Sequence, residues 1–93
     1  MKTVFLDFSN IQSVQDLHLY LKAKLDFPEF YGMNWDAFWD SITGLVEMPD
    51  KIEITGFEDL KKWMPVDIEK FSECLSDYNN TPDLKKIQVD IKS

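Results

Sequence analysis

The chain has 93 residues and a mass of 11.0 kDa, which is enough for one domain, residues 1–93, with a single small hydrophobic core. Its content of 44% hydrophobic and 14% aromatic residues excludes intrinsic disorder. Seventeen carboxylates outnumber ten lysines, arginine is absent, and the formal charge of −7 disfavours direct nucleic-acid binding and favours a basic partner.

The first predicted element is a strand over residues 3–8, whose apolar side chains on both faces are typical of an inner strand. A helix follows, with Ser13 as its N-cap and Pro28 at its end. A second helix begins at Asn34, a good N-cap residue, and continues to about Glu47. Its apolar side chains form one arc that we expect to pack on the sheet, comprising Trp35, Phe38, Trp39, Ile42, Leu45 and Val46.

The second half of the chain again alternates strand and helix patterns. Apolar and polar residues alternate over residues 51–55 and 87–91, as in strands with one buried face. Between them, a short helix around residues 57–64 ends near Pro65, and a longer helix covers residues 68–78. Because helical crossovers join the strands, parallel pairing is favoured. We therefore predict an α/β fold, a three-stranded parallel sheet packed against about four helices, with the first strand in the middle.

Negative charge is concentrated in one segment of the chain. Residues 26–50 hold six carboxylates and no lysine, so the remaining 68 residues (93 minus 25) carry only −1, from ten lysines and eleven acids. On a helical projection, Asp36, Asp40 and Glu47 form a stripe bordered by Trp39. An acidic centre surrounded by aromatic rings is typical of a protein-binding surface.

Other chemistry-bearing residues are few. Cys74 is the only cysteine, so an internal disulfide is impossible, and we expect a cytoplasmic location. No stretch has the composition of a signal peptide or a membrane span. Motifs for nucleotide, zinc or serine-nucleophile chemistry are absent, so we expect no cofactor, no metal and no enzymatic activity. The single histidine, His18, and Cys74 are interpreted as packing residues.

The segment around the second helix resembles a known family. Residues 28–40 read PEFYGMNWDAFWD, residues 43–47 read TGLVE, and Pro49 follows. In residue type and spacing these segments resemble the barstar family, the intracellular inhibitors of barnase-type ribonucleases. Ile11 and Ser13 also match that family, and the C-terminal half agrees mainly in the order of its elements. The resemblance implies a barstar-like fold over the whole chain.

The resemblance implies that the second helix and the loop before it block a ribonuclease active site in a 1:1 complex, with carboxylates in place of RNA phosphates. Asp40 would stand where the scissile phosphate sits, and Asp36 would pair with a second cation. The fourth helix would add one more acid, Asp77 or, as the alternative, Glu73. The other implied partner-binding residues are Phe30, Tyr31, Gly32, Asn34, Trp35, Trp39, Thr43, Gly44, Leu45 and Val46.

Several positions depart from the family pattern. Phe30 replaces a tyrosine, Met33 a glutamate, Trp35 a leucine and Leu45 a tryptophan. Such changes alter the choice of partner while the acidic centre is kept. The implied target is a basic ribonuclease of the extracellular or toxin type, related to barnase or differently shaped. The chain itself would be a monomeric immunity protein or antitoxin.

Two alternatives stay open. Asp36 and Asp40 could belong to a carboxylate-based, metal-dependent hydrolase, although their segment offers no supporting cation or histidine. The acidic surface could instead be an interaction module whose partner is not a nuclease. A rise in melting temperature on adding a divalent metal would indicate the hydrolase, and the partner recovered from cells would identify the module.

Overall fold

A computed structural model describes residues 1–92 of the chain and has an α/β architecture. The three strands are β1 (Thr3–Asp7), β2 (Lys51–Thr55) and β3 (Gln88–Ile91). The four α-helices are α1 (Val14–Leu25), α2 (Trp35–Asp40), α3 (Phe57–Trp63) and α4 (Pro65–Asn79), and a π-helical segment, Ser41–Leu45, continues α2. The predicted combination of a three-stranded parallel sheet with four helices is confirmed.

The order of the strands differs from the prediction. The sheet runs β1-β2-β3 with both pairs parallel, and Ile52 of β2 pairs with Val4 on one side and with Val89 on the other. The prediction of β1 as the middle strand is therefore wrong. It relied on the apolar side chain of Phe5 on the second face of β1, and that side chain is 61% exposed.

The sheet has one buried face and one open face. Side chains of Val4, Leu6, Ile52 and Ile54 point into the hydrophobic core. The alternate side chains stay outside it and form a charged network in which Lys51 pairs with Glu53 at 3.3 Å and with Asp90 at 3.2 Å, while Lys92 lies 3.7 Å from Glu53. Parallel sheets are usually covered on both faces, so this open face is a distinguishing feature of the domain.

Helix α1 is defined by its caps. The Ser13 hydroxyl oxygen accepts a hydrogen bond from the Asp16 N–H at 3.0 Å, and the Asp16 carboxylate accepts one from the Gln12 N–H at 3.3 Å. The Ser13 bond is the predicted N-cap, whereas the Asp16 carboxylate binds the N–H of the residue before the N-cap instead of that of Ser13. The helix ends at Leu25, before the predicted end at Pro28, and its C-cap residue Asp26 has a φ of 62° in the left-handed region.

Helix α4 supplies the surface on which α2 packs. Pro65 occupies the first turn of α4, where its missing N–H has no intrahelical partner to lose. Buried side chains then recur at helical spacing, namely Ile68, Phe71, Leu75 and Tyr78. The rings of Phe71 and Phe38 of α2 lie 5.7 Å apart between centroids, so the two helices share one part of the core.

The predicted second helix is regular only as far as Asp40. Beyond it the Val46 N–H donates to the Ser41 carbonyl at 3.1 Å, an i+5 to i bond that defines a π-helical turn. The wider turn moves later side chains away from the positions of a regular helix. Leu45, expected in the arc that packs on the sheet, is 51% exposed, so that expectation is wrong for this residue.

Candidate partner-binding site

The start of α2 is fixed by one side chain. The Asn34 side-chain oxygen accepts a hydrogen bond from the Ala37 N–H at 2.7 Å, as an N-cap does. The Asn34 amide nitrogen donates to the Gly32 carbonyl at 3.1 Å. Because the same side chain binds both the helix and the preceding loop, it holds residues 28–33 in a defined position relative to α2.

That loop, residues 28–33, presents one of its two adjacent rings to solvent and buries the other. The Tyr31 N–H donates to the Pro28 carbonyl at 3.0 Å and closes a turn. Phe30 is 75% exposed, whereas Tyr31 is only 6% exposed. The Tyr31 ring therefore belongs to the core, and the contact with a partner that the resemblance implies for this residue stays a prediction.

Beneath the loop, Tyr31 joins a buried cluster. The Tyr31 hydroxyl lies 2.7 Å from the His18 Nδ1, and the His18 ring packs against Trp35 at 4.5 Å between centroids. The Trp35 indole N–H donates to the Asp67 carboxylate of α4 at 2.9 Å. Burial lowers the pKa of His18 below 6.5, and burial also raises the pKa of Tyr31 above its ordinary value. His18 is thus a packing residue, as predicted, and its lowered pKa favours the neutral ring at pH 7.

A groove between α2 and α4 collects the acidic side chains. It has a volume of about 490 Å³ and is called the acidic groove below. The lining residues are Trp35, Asp36, Trp39 and Asp40 from α2, together with Lys70, Glu73, Cys74 and Asp77 from α4. Four carboxylates and one lysine therefore face one cleft. Both predicted acids of α2 and both candidate acids of α4 are brought together here.

The thiol of Cys74 responds to the electrostatics of the acidic groove. Burial raises its pKa above 9.0, and the carboxylates of Asp77, Glu73 and Asp36 raise it further, whereas Lys70 lowers it. The effects of acids on both helices reach the same sulfur atom, which agrees with their position around one groove. The thiol is protonated at neutral pH and is a poor nucleophile.

The remaining predicted residues lie along the π-helical segment. The Thr43 hydroxyl donates to the Trp39 carbonyl at 2.7 Å, which satisfies an acceptor within the irregular turn. Gly44 is exposed, and a Cβ added there would meet no atom within 4 Å. Leu45 is exposed and Val46 is half-buried. This edge therefore offers uncovered backbone beside an exposed apolar side chain.

The predicted partner-binding residues differ in their exposure to solvent. Exposed side chains at Phe30, Asp36, Asp40 and Leu45 are accessible to a partner, whereas Tyr31 is not. Sequence reasoning missed Lys70, the one cation of the acidic groove. The available signal was the spacing of its four α4 residues, at positions 70, 73, 74 and 77, which share one helical face.

Two further properties concern the described part of the chain. Within residues 1–92, no helix combines the length and the apolar character needed to cross a lipid bilayer. Among the same residues, no group of three or more Asp, Glu, His or Cys side chains is arranged so that it could hold a metal ion.

Comparison with known proteins gives two findings. The family model described as "Barstar (barnase inhibitor)" matches residues 1–92. A protein of Bacillus subtilis (strain 168), named "Putative ribonuclease inhibitor YrdF", is 41% identical over 58 residues. That match covers 62% of this chain, and the chain spans 64% of the length of the relative.

Proposed function

The chain belongs to the barstar family, and from this membership together with the geometry of the acidic groove we propose that it inhibits a ribonuclease by occupying the enzyme's active site. The observation that carries the proposal is the convergence of Asp36, Asp40, Glu73 and Asp77 on one cleft from two helices. A site that binds RNA must present cations to phosphates. Carboxylates on a rigid surface can bind the same cations through charge-assisted hydrogen bonds and exclude RNA.

Asp40 is the proposed centre of the interface, because it is exposed and lines the acidic groove together with the two indoles and the α4 acids. Asp36, one turn earlier, is proposed to bind a second cation. On α4, Asp77 and Glu73 both line the groove, so both are proposed contacts rather than alternatives. The Phe38–Phe71 contact holds α2 against α4 before a partner arrives, which reduces the entropy lost on binding.

Apolar groups at the border complete the proposed interface. Phe30 and Leu45 are exposed, and the exposed backbone of Gly32 and Gly44 lets another surface approach closely. Such groups exclude water from the charged centre, where carboxylate–cation pairs then gain strength. Trp39, Thr43 and Val46 are half-buried and contribute by shape rather than by charge.

The proposed partner is a basic ribonuclease of the extracellular or toxin type, bound 1:1 by the monomeric inhibitor in the cytoplasm. The net charge of −7 supports a cationic partner because it attracts one from a distance. Association should therefore be fast at low salt and slow down as salt screens the attraction. An association rate that does not depend on salt would contradict this electrostatic part of the proposal.

A direct test is to assay RNA hydrolysis by barnase and by a panel of small basic ribonucleases with increasing amounts of the protein. Stoichiometric inhibition of at least one enzyme, and a 1:1 complex in light scattering, are the expected results. Asp59 provides a matched control, since it is an exposed helical aspartate that does not line the acidic groove. Equal inhibition by Asp40→Asn and Asp59→Asn would refute the proposed site, and inhibition of none of the enzymes would refute the function.

A further inference from the structure

The loop of residues 28–33 is attached to α1 by two hydrogen bonds. The buried His18 Nδ1 and the Tyr31 hydroxyl share a hydrogen bond of 2.7 Å. One helical turn later, the Lys22 Nζ donates to the Glu29 carbonyl at 3.3 Å. The first bond holds Tyr31, directly after Phe30, and the second holds Glu29, directly before it. Phe30 carries the exposed ring of the loop.

The His18 ring also contacts the first residue of α2. It lies against Trp35, whose indole N–H binds Asp67 of α4. His18 therefore touches the loop and α2 at once, and through Trp35 it is connected to α4. A single side chain of α1 thus links the loop to the two helices that form the acidic groove.

We propose that His18 is a positioning residue for the partner-binding surface, and that its hydrogen bond to Tyr31 holds the loop of residues 28–33 so that Phe30 projects to solvent. The effect on partner binding rests on the proposed function, whereas the effect on the loop does not. His18 does not contact the partner itself, because it is only 1% exposed.

The order of the loop is consequently sensitive to protonation of His18. The groups that face it are the neutral hydroxyl of Tyr31 from the loop, the uncharged indole of Trp35 from α2 and, beyond that indole, the carboxylate of Asp67 from α4. A proton on His18 introduces a buried charge with no carboxylate in direct hydrogen-bond contact. The loop can relieve this charge by moving away and admitting water.

The test on the free protein is amide hydrogen exchange by NMR at residues 29–33. Tyr31→Phe and His18→Leu both remove the hydrogen bond, and each should accelerate exchange of the loop amides at least about tenfold. His18→Asn places an amide near the position of Nδ1 and should restore exchange to within about threefold of the wild type. Tyr20→Phe is the control, because it removes a tyrosine hydroxyl that accepts a 2.7 Å bond from the Asp7 N–H at a different place on α1.

A merely structural role for His18 would give a different result. In that case all four variants would change loop exchange only in proportion to their loss of global stability, and Asn would not rescue better than Leu. Loop exchange that only follows global stability would overturn the proposal, and so would a rescue by His18→Asn that is no better than that by His18→Leu. If Tyr31→Phe does not fold, the pH dependence of loop exchange in the wild type and in His18→Leu still tests the proposal. Between pH 7 and pH 5, after correction for intrinsic exchange, loop opening should increase in the wild type and stay constant in His18→Leu.

Inhibition assays separate this inference from the proposed function. With an inhibited ribonuclease, Tyr31→Phe should weaken inhibition at least about fivefold while Tyr20→Phe leaves it unchanged. If no ribonuclease is inhibited, the proposed function fails, yet the exchange measurements still confirm or refute the positioning role. If inhibition is present but loop exchange does not respond to His18, only the positioning role fails.

Discussion

The rings of Phe38 and Phe71 lie 5.7 Å apart between centroids and join α2 to α4 beneath the acidic groove. Both rings are fully buried. The carboxylates above them come from separate parts of the chain, so their common position depends on this contact. Stability of the core and the geometry of the acidic surface are therefore properties of the same two helices.

This relationship predicts different effects for two phenylalanines of the same region. Phe38→Ala should lower the free energy of unfolding by about 3–5 kcal/mol, because it leaves a cavity in the core. Phe30→Ala removes an equally large ring that is mostly exposed. This substitution should change the free energy of unfolding by less than about 0.5 kcal/mol. Urea unfolding measures both values. Similar losses for the two variants would contradict the assignment of Phe30 to the surface.

The second prediction concerns Asp40. Asp40→Asn should weaken ribonuclease inhibition by at least about tenfold, because a cation of the partner loses its charged acceptor in a desolvated interface. Asp59→Asn should change inhibition less than about twofold. Measured against salt concentration, the association rate of Asp40→Asn should also depend less steeply on salt than that of the wild type. Inhibition constants for the two variants that agree within error would exclude Asp40 as the centre.

Gly44 allows a third prediction, because its Cβ position is open within the molecule. Gly44→Ala should therefore leave the unfolding free energy unchanged or slightly raised, and should weaken inhibition several-fold if a partner backbone approaches there. Gly56 is the contrasting site. A Cβ there would lie 2.8 Å from the Ser9 nitrogen, and its φ of +73° disfavours other residues.

Gly56→Ala should accordingly lower the free energy of unfolding by about 1–2 kcal/mol or more. Thermal and urea unfolding of both glycine variants provide the comparison. Destabilisation by Gly44→Ala as large as that by Gly56→Ala would show that Gly44 is needed for the fold rather than for the interface.

The fourth prediction is a pH dependence of stability. Because burial lowers the pKa of His18 in the folded state, the unfolded chain binds a proton more readily. The stability that neutral His18 contributes is fully present above pH 6.5. It is lost as the pH falls from 6.5 through the lowered pKa of His18 in the folded state. His18→Leu should be free of this loss between pH 7 and pH 5 in urea titrations. A parallel decline in both proteins would contradict the buried, neutral state of His18.

The paired carboxylates act in a lower pH range. Hydrogen bonding and charge from Lys85 lower the pKa of Asp50 below 3.8, and the Lys51 ammonium lowers that of Asp90. The stability that these ion pairs contribute is present above pH 3.8 and is lost on further acidification. The His18 effect and the carboxylate effect are thus separable in one titration.

The fifth prediction uses Cys74 as a probe of the acidic groove. Its raised pKa makes the reaction with a disulfide reagent at pH 8 slow compared with a free thiol. Asp77→Asn removes a carboxylate that raises this pKa and should speed the reaction severalfold. Glu69→Gln, an exposed α4 residue outside the groove, should have no effect. Equal rates in all three proteins would contradict the proximity of Asp77 to Cys74.

Local signals in the sequence were sufficient for much of the fold. Ser13 and Asn34 identify the starts of their helices, because each forms the N-cap hydrogen bond that its residue type favours. Helical crossovers between the strands correctly predicted the parallel sheet. These features depend on residues that are close in the chain.

The errors concern relationships between distant residues. The strand order depends on which strand pairs along both of its edges, and the apolar character of Phe5 does not reveal this. Similarly, two adjacent rings, Phe30 and Tyr31, have the same sequence signature, yet only Tyr31 finds a buried partner in His18. Lys70 was missed because its position in the groove requires the packing of α4 on α2.

The open face of the sheet gives the domain two independent sides. Phe5, Lys51 and Asp90 lie on it, away from the helices that form the acidic groove. A chemical label, a solid support or a fused domain attached there leaves the groove unobstructed. Over evolutionary time, the same separation lets substitutions accumulate on one side without altering what the other side recognises.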